Sequence, residues 1–240
     1  MLLYCGKSDV GMRRKINQDI YGAMPIWNGD GLLLIVCDGM GGHKAGDTAS
    51  KTAMEAFCAV VASHPCTADD PVIRSDSIKN TLVAAVKEAN ESVYKLAQSS
   101  DEYRGMGTTL VAALAIDRAL FLLNVGDSRA YQITGRSIRQ LTKDHSYVQS
   151  LVDAGKITDE QAMTHPDSNI INRSLGDTSQ KAKPDVTTIE LTEGEVILLC
   201  SDGLCGVCQD AVIGGIVEDH ISDLKTCREE LILAALAAGG

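Results

Sequence analysis

Apolar positions along this chain follow two different periods. From about 45 to 63, Ala49, Ala53, Met54, Phe57, Val60 and Val61 recur at short helical steps, and from about 77 to 98 Ile78, Leu82, Val86, Ala89, Val93 and Leu96 do the same. Steps of three and four place side chains on one stripe of an α-helix, so two long amphipathic helices are expected. The polar stretch "SHPCTADDP" between them holds two prolines and reads as a loop. A third helical pattern covers about 223–237 and meets Gly239 and Gly240, where a C-cap belongs.

The remaining apolar stretches are short and rich in β-branched and aliphatic residues: 31–37, 107–116, 119–125, 128–133 and 195–200. Each has strand length. The tetrapeptides "IDRA" and "ITGR" between or after them read as hairpin turns. Strands joined by hairpins, with helices segregated from them, predict antiparallel sheets in an α+β fold. From Ser146 to Asn172 the chain becomes polar, and a mobile flap carrying a short helix is expected there. Neither repeats nor low-complexity segments divide the sequence, so 1–240 is expected to be a single domain.

Composition narrows the function. The chain has 240 residues, and only 4% are aromatic, so its core must rest on Val, Ile, Leu and Ala. A formal net charge of −10 argues against nucleic acid, which needs a basic surface. The longest apolar run, "LLLIVC", is far shorter than a membrane span, and "MLLYCGKSD" is too short for a signal peptide. Of eight cysteines, Cys37, Cys58 and Cys200 lie within apolar runs, as buried reduced thiols do, so a cytoplasmic setting is expected.

One pattern carries chemistry. "LLLIVCDG", "LFLLNVGD" and "VILLCSDG" each end an apolar run on an acid: Asp38, Asp127 and Asp202. A carboxylate at the end of a buried strand is costly to desolvate unless it meets a cation or hydrogen-bond donors. Several such acids brought together repel, and divalent cations between them remove the conflict. Carboxylate, carbonyl and water ligands select hard ions such as Mg²⁺ or Mn²⁺. A pair of these ions can activate a water and clamp a phosphate for in-line attack. The alternative for each instance is that Asp-Gly is a common turn pair. The "GMGG" loop lacks the Lys-Ser/Thr of a phosphate-binding P-loop, and "CGVC" has no second cysteine pair to complete a zinc site.

In order along the chain stand "SDVGMRRKINQD", "VCDGMGGHKAGDTAS", "GMGTTLVAAL", "NVGDSRAY", "LTKDHS", "GKITDEQAMTHPDSNIINRSLG" and "LLCSDGL". This ordered set resembles the metal-dependent Ser/Thr protein phosphatases of type 2C, the PPM family, in its short bacterial form. The resemblance implies a β-sandwich of two antiparallel sheets flanked by pairs of helices. It implies Asp38 bridging two metals, Gly39 giving a carbonyl ligand, and Asp202 holding the second metal. Asp19 would hold water of the metal pair, and Asp127 would hold a third, weaker ion. Arg14, next to Arg13, matches the arginine that grips substrate phosphate with its permanent planar charge. His43 is the candidate proton donor to the leaving alcohol, or else a loop histidine ordering the glycine turn. His145 is a candidate supporting residue, and Arg173 resembles a residue linking the flap to the site. His64, His165 and His220 read as structural or exposed.

The implied substrates are phosphorylated proteins, targets of a bacterial-type Ser/Thr kinase, and the implied cofactors are two Mn²⁺ or Mg²⁺ ions with a weaker third. The family also has a strand opening with Asp-Asn after the helix that here ends at Gly239 and Gly240, and that Asp is a further ligand. The expectation is therefore a sandwich with its last strand missing and a weakened metal pair. The rival expectation is a catalytically impaired binding module of the same fold. An open sheet position also predicts either a monomer or weak self-association through it.

Overall fold

A computed structural model describes residues 2–42, 45–66, 68–176 and 182–240 of the chain. The run "LLLIVC" lies inside strand β2 (Gly31–Met40), and its apolar content on both faces has a structural reason. Leu33, Ile35 and Cys37 point into one core, while Leu32, Leu34 and Val36 pack into another. A strand buried on both sides cannot alternate apolar with polar.

Strand β2 is central to the larger sheet. It pairs antiparallel with β1 (Asp19–Ile26) on one side and with β4 (Leu110–Ile116) on the other, and also with the two-residue β3 (Gly107–Thr108). Strand β5 (Ala119–Val125) follows β4, and β8 (Asp185–Glu190) closes the far edge. The expected turn between β4 and β5 is present, with Asp117 at φ 52°. The expected second hairpin joins β6 (Arg129–Thr134) to β7 (Ser137–Gln140), with Gly135 at φ 56°. With β9 (Val196–Cys200) these form a smaller sheet in the order β7-β6-β9.

Three cores stack the layers. Helices α1 (Ala45–Ser63) and α2 (Pro71–Ala97) cover the outer face of the larger sheet through Phe57, Val61, Leu82 and Val86. Val111, Ala113, Leu120, Leu122 and Ala130 fill the space between the sheets. Helices α6 (Asp210–Asp219) and α7 (Leu224–Ala237) cover the smaller sheet through Ile213, Val217 and Leu231. This is the expected α+β sandwich of two antiparallel sheets, each with a helix pair outside.

Helix α1 covers the expected span, but α2 begins six residues earlier than its apolar period. Asp70 caps it, accepting from the N–H groups of Val72 and Ile73, and Pro71 takes the first helical position, where its missing N–H costs nothing. The run 107–116 divides at Thr109 into β3 and β4. Segment 146–172 carries two short helices, α3 (Tyr147–Asp153) and α4 (Asp159–Met163), rather than one. Helix α7 ends as the glycines predict. Gly239 takes φ 91°, its N–H donates to Leu236 O, and Gly240 N–H donates to Ala235 O, a Schellman turn. No partner strand lies on the outer edge of β9 among the described residues.

Candidate metal and phosphate site

The acid-ended strands converge. Asp19 opens β1 and stands directly across from Asp38 in β2. Asp38 is held by its backbone: its N–H donates to Thr109 Oγ1 at 3.0 Å, and its carbonyl accepts from Thr109 N at 2.9 Å and Thr108 Oγ1 at 2.9 Å. Thr109 Oγ1 is itself paired with Ser128 Oγ at 2.7 Å, next to Asp127. Asp202 begins the short helix α5 (Asp202–Cys205) just after β9. Between them, Ser201 Oγ donates to Asp19 Oδ2 at 2.6 Å and ties the two sheets together at the site.

Burial and crowding set the charge state. The Asp38 carboxyl is hydrogen-bonded with both Asp19 and Asp202, and burial, then their two charges, push its pKa up to about 10. Burial also raises Asp19, against the hydrogen bond from Ser201 and the charge of Arg14. Asp127 is pushed up to about 7 by burial, then by the charges of Asp202 and Asp144.

The donor set is all oxygen, which suits Mg²⁺ or Mn²⁺. Among the described residues no three acidic, His or Cys side chains converge on one ion position. Mg²⁺ commonly binds through one or two carboxylates and keeps waters in its shell, which the pair of contacts from Asp38 to Asp19 and Asp202 fits. Gly39 is pinned beside the acids, its N–H donating to Gln18 O at 3.1 Å. A Cβ on Gly39 would lie 2.0 Å from Gly46 O, so only glycine allows α1 to approach this closely. The Gly39 carbonyl lies against Gly46 at the start of α1.

The two neighbouring arginines diverge. The charge of Arg14 acts on Asp19, and its Nη1 lies 3.5 Å from Gln18 Oε1, at the exposed rim of the acid cluster. The Arg13 guanidinium lies by Gly239 instead. His43 falls outside the described residues. A cavity of about 1970 Å³ joins Arg14, Asp19, Asp38, Asp127 and Asp202, and continues between the sheets past Leu34 and Leu199. That is larger than a small-molecule pocket of roughly 300–1,000 Å³.

Three contributors carry no sequence expectation: Ser201, Thr109 and Ser128. The signal for Ser201 and Thr109 is a hydroxyl at the border of an apolar run, in "LLCSDGL" and "TTLVAAL"; Ser128, between Asp127 and Arg129 in "GDSRAY", has none. Cys205 and Cys208 of "CGVC" are buried, and all eight cysteines are free thiols.

The family model described as Protein phosphatase 2C matches residues 11–227. The chain belongs to the protein phosphatase 2C family. The serine/threonine phosphatase stp of Listeria welshimeri is 35% identical over 235 residues, covering 98% of this chain and 90% of that protein. The structure of the Streptococcus agalactiae serine/threonine phosphatase superposes with a TM-score of 0.84 at 33% identity, covering 97% of this chain and 92% of that one. The catalytic domain of the phosphatase PstP, solved in complex with two manganese ions, superposes at 0.80 and 33% identity, covering 97% and 90%. The chain shares the mixed fold of helices and antiparallel sheets with these two solved structures. None of the described helices is long and apolar enough to cross a membrane.

Proposed function

We propose that this chain hydrolyses phosphoserine and phosphothreonine on proteins, with Mn²⁺ or Mg²⁺ at the acid cluster. The observation that carries the reading is the contact of Asp38 with both Asp19 and Asp202, where burial and the crowded negative charge push the Asp38 carboxyl upward and raise Asp19. The names of the relatives and the manganese-bound family member support it. Bound divalent ions supply a nucleophile from water at neutral pH and neutralise phosphoryl charge. In this reading Asp38, Asp202 and the Gly39 carbonyl would hold the ions. Asp19 is oriented by Ser201, and Asp127 holds a weaker third ion. Arg14 grips two phosphate oxygens at the rim, and His43 is the candidate donor to the leaving alcohol. The substrates are phosphoproteins made by a bacterial-type Ser/Thr kinase, within a single catalytic domain.

The test is Mn²⁺-dependent release of phosphate from an aryl phosphate and from a phosphothreonine peptide. Asp38→Ala is expected to lower kcat on the order of 100-fold or more, as loss of a key electrostatic group does. Turnover that survives both chelation and Asp38→Ala would overturn the reading.

A second reading has its own observation. No three ligands converge among the described residues, and the edge of β9 beside Asp202 has no partner strand there. A weakened metal pair would leave a module that binds phosphopeptide with little turnover. Calorimetric Mn²⁺ binding above millimolar Kd, with phosphopeptide still bound, would favour it.

A further inference from the structure

His145 lies outside the acid cluster, yet it is only 7% exposed and all its polar atoms are engaged. Its Nδ1 accepts the N–H of Gly126 at 3.1 Å. A backbone N–H only donates, so Nδ1 carries no proton and the ring proton sits on Nε2. That proton is given to Asp185 Oδ2 at 3.1 Å; Arg173 Nη1 also lies 3.0 Å from Nε2, but its two hydrogens go to Asp185 Oδ1 at 3.0 Å and Lys183 O at 3.3 Å. The His145 backbone N–H closes on the same glycine, donating to Gly126 O at 2.9 Å. Side chain and backbone together hold Gly126 at both its N–H and its C=O.

Gly126 needs that hold. It takes φ 113°, and a Cβ there would lie 2.6 Å from the Thr109 side chain. This turn sets the direction of Asp127, the next residue, against the threonine that anchors Asp38. On its other side His145 meets the base of segment 146–172. Its carbonyl accepts Asn172 N–H at 2.6 Å, Ser146 bridges Ile171, and Tyr147 N–H donates to Ile170 O at 2.8 Å. Arg173, where the segment ends, reaches the same Asp185 through Nη1 at 3.0 Å.

We propose that neutral His145, protonated on Nε2, is a positioning residue: it clamps the Gly126 turn to aim Asp127, and it locks that turn to the base of segment 146–172. A cation held at Asp127 therefore depends on His145, while cations among Asp19, Asp38 and Asp202 do not. This consequence rests on the proposed metal role of Asp127; the clamp itself does not.

The experiment begins on the metal-free full chain. Imidazole ¹⁵N spectra are expected to show His145 neutral with its proton on Nε2, and a proton on Nδ1 would overturn the proposal. Amide exchange at Gly126 is expected to quicken about tenfold in His145→Gln and His145→Ala, the value of one hydrogen bond. In His145→Asn, whose Oδ1 can stand where Nδ1 stood, it should remain near wild type. Unchanged exchange at Gly126 in His145→Ala would sink the clamp whatever the metals do. Mn²⁺ titration followed by electron paramagnetic resonance is then expected to show the weakest class of sites weakened about tenfold in His145→Gln and restored in His145→Asn, with the tighter class unmoved. Equal loss in both classes, or none in the weak class, would overturn the link to Asp127. A wild-type chain that binds no Mn²⁺ would count against the proposed function, while exchange at Gly126 would still decide the clamp. Should His145→Ala fail to fold, the tautomer and the Gln–Asn comparison carry the test.

Discussion

Asp38 is the residue on which electrostatics and stability meet. In the metal-free protein its pKa stands at about 10, against 3.8 for the unfolded chain, and Asp127 stands at about 7. Above about pH 4 the unfolded chain has released protons that the folded protein still holds. Unfolding is therefore favoured as pH rises, by up to about 1.4 kcal/mol per pH unit for each such group. The melting temperature of chelator-treated protein is expected to fall from pH 5 to pH 9, and excess Mn²⁺ should oppose the fall. Asp38→Asn should flatten the metal-free profile, and a metal-free stability that climbs across this window would refute the account. Arg14 makes a separate prediction at the same scale. A guanidinium holding phosphate contributes about 1.5–3 kcal/mol, so Arg14→Ala should lower kcat/KM for an aryl phosphate roughly 10- to 100-fold, whereas Arg13→Ala should leave it nearly unchanged. Asp38, Asp127 and Asp202 were legible in the sequence because each closes an apolar run, whereas Asp19, which follows a polar stretch, was legible only through the family resemblance. Ser201 and Thr109 were not, because a hydroxyl satisfied by a neighbour across the fold leaves no periodic trace.

Elements divide by their place in the sheets. The strands without sequence expectation, β1, β7 and β8, are all edge strands. An edge strand has less apolar surface to bury, so β8 reads "DVTTIE", and β1 tolerates Pro25 where a central strand would not. The central strands β2, β4 and β5 announce themselves by continuous apolar runs. Helix α6 carries Gly214 and Gly215, poor helix formers that weaken its helical signal in the sequence; Gly214 is buried and lies close to Ile138 of β7. Strand β6 also carries a polar device. The guanidinium of Arg129 meets both oxygens of Asp144 at 2.7–3.0 Å and donates to Tyr131 Oη, which reaches Asp210 of α6. Removing one member leaves the other charge buried and alone. Asp144→Ala should therefore cost about 3–5 kcal/mol in denaturant unfolding. An Arg129→Met, Asp144→Leu double replacement should cost less than the single one, and a larger loss in the double would contradict this reading.

At the scale of the molecule the two sheets are unequal, and the difference should be visible in solution. The larger sheet has a helix pair packed on one face and the inter-sheet core on the other. Among the described residues the smaller sheet has three strands, and β9 forms one edge of it. Which backbone groups of β9 are free follows from the register. Ala130 turns its N–H and C=O toward Thr142 and Leu141, on the β7 side. Its neighbours Arg129, Tyr131 and Ile133 therefore turn theirs toward β9, where they meet Cys200, Leu198 and Val196. The intervening Ile197 and Leu199 present their backbone to the open side. Their side chains line the inter-sheet core and are only half-buried, at the margin of the cavity that leads to Asp202. Native-state hydrogen exchange should accordingly alternate along β9: slow at Leu198 and Cys200, fast at Ile197 and Leu199. The amides of β4 and β5 should exchange only near the global unfolding limit. The same pattern decides the oligomeric expectation. If the open side pairs with a second copy, protection at Ile197 and Leu199 should rise with protein concentration, together with the sedimentation coefficient. Alternation that persists unchanged from micromolar to millimolar protein would establish a monomer with an open edge. Slow exchange at all four positions at the lowest concentration would refute the edge itself.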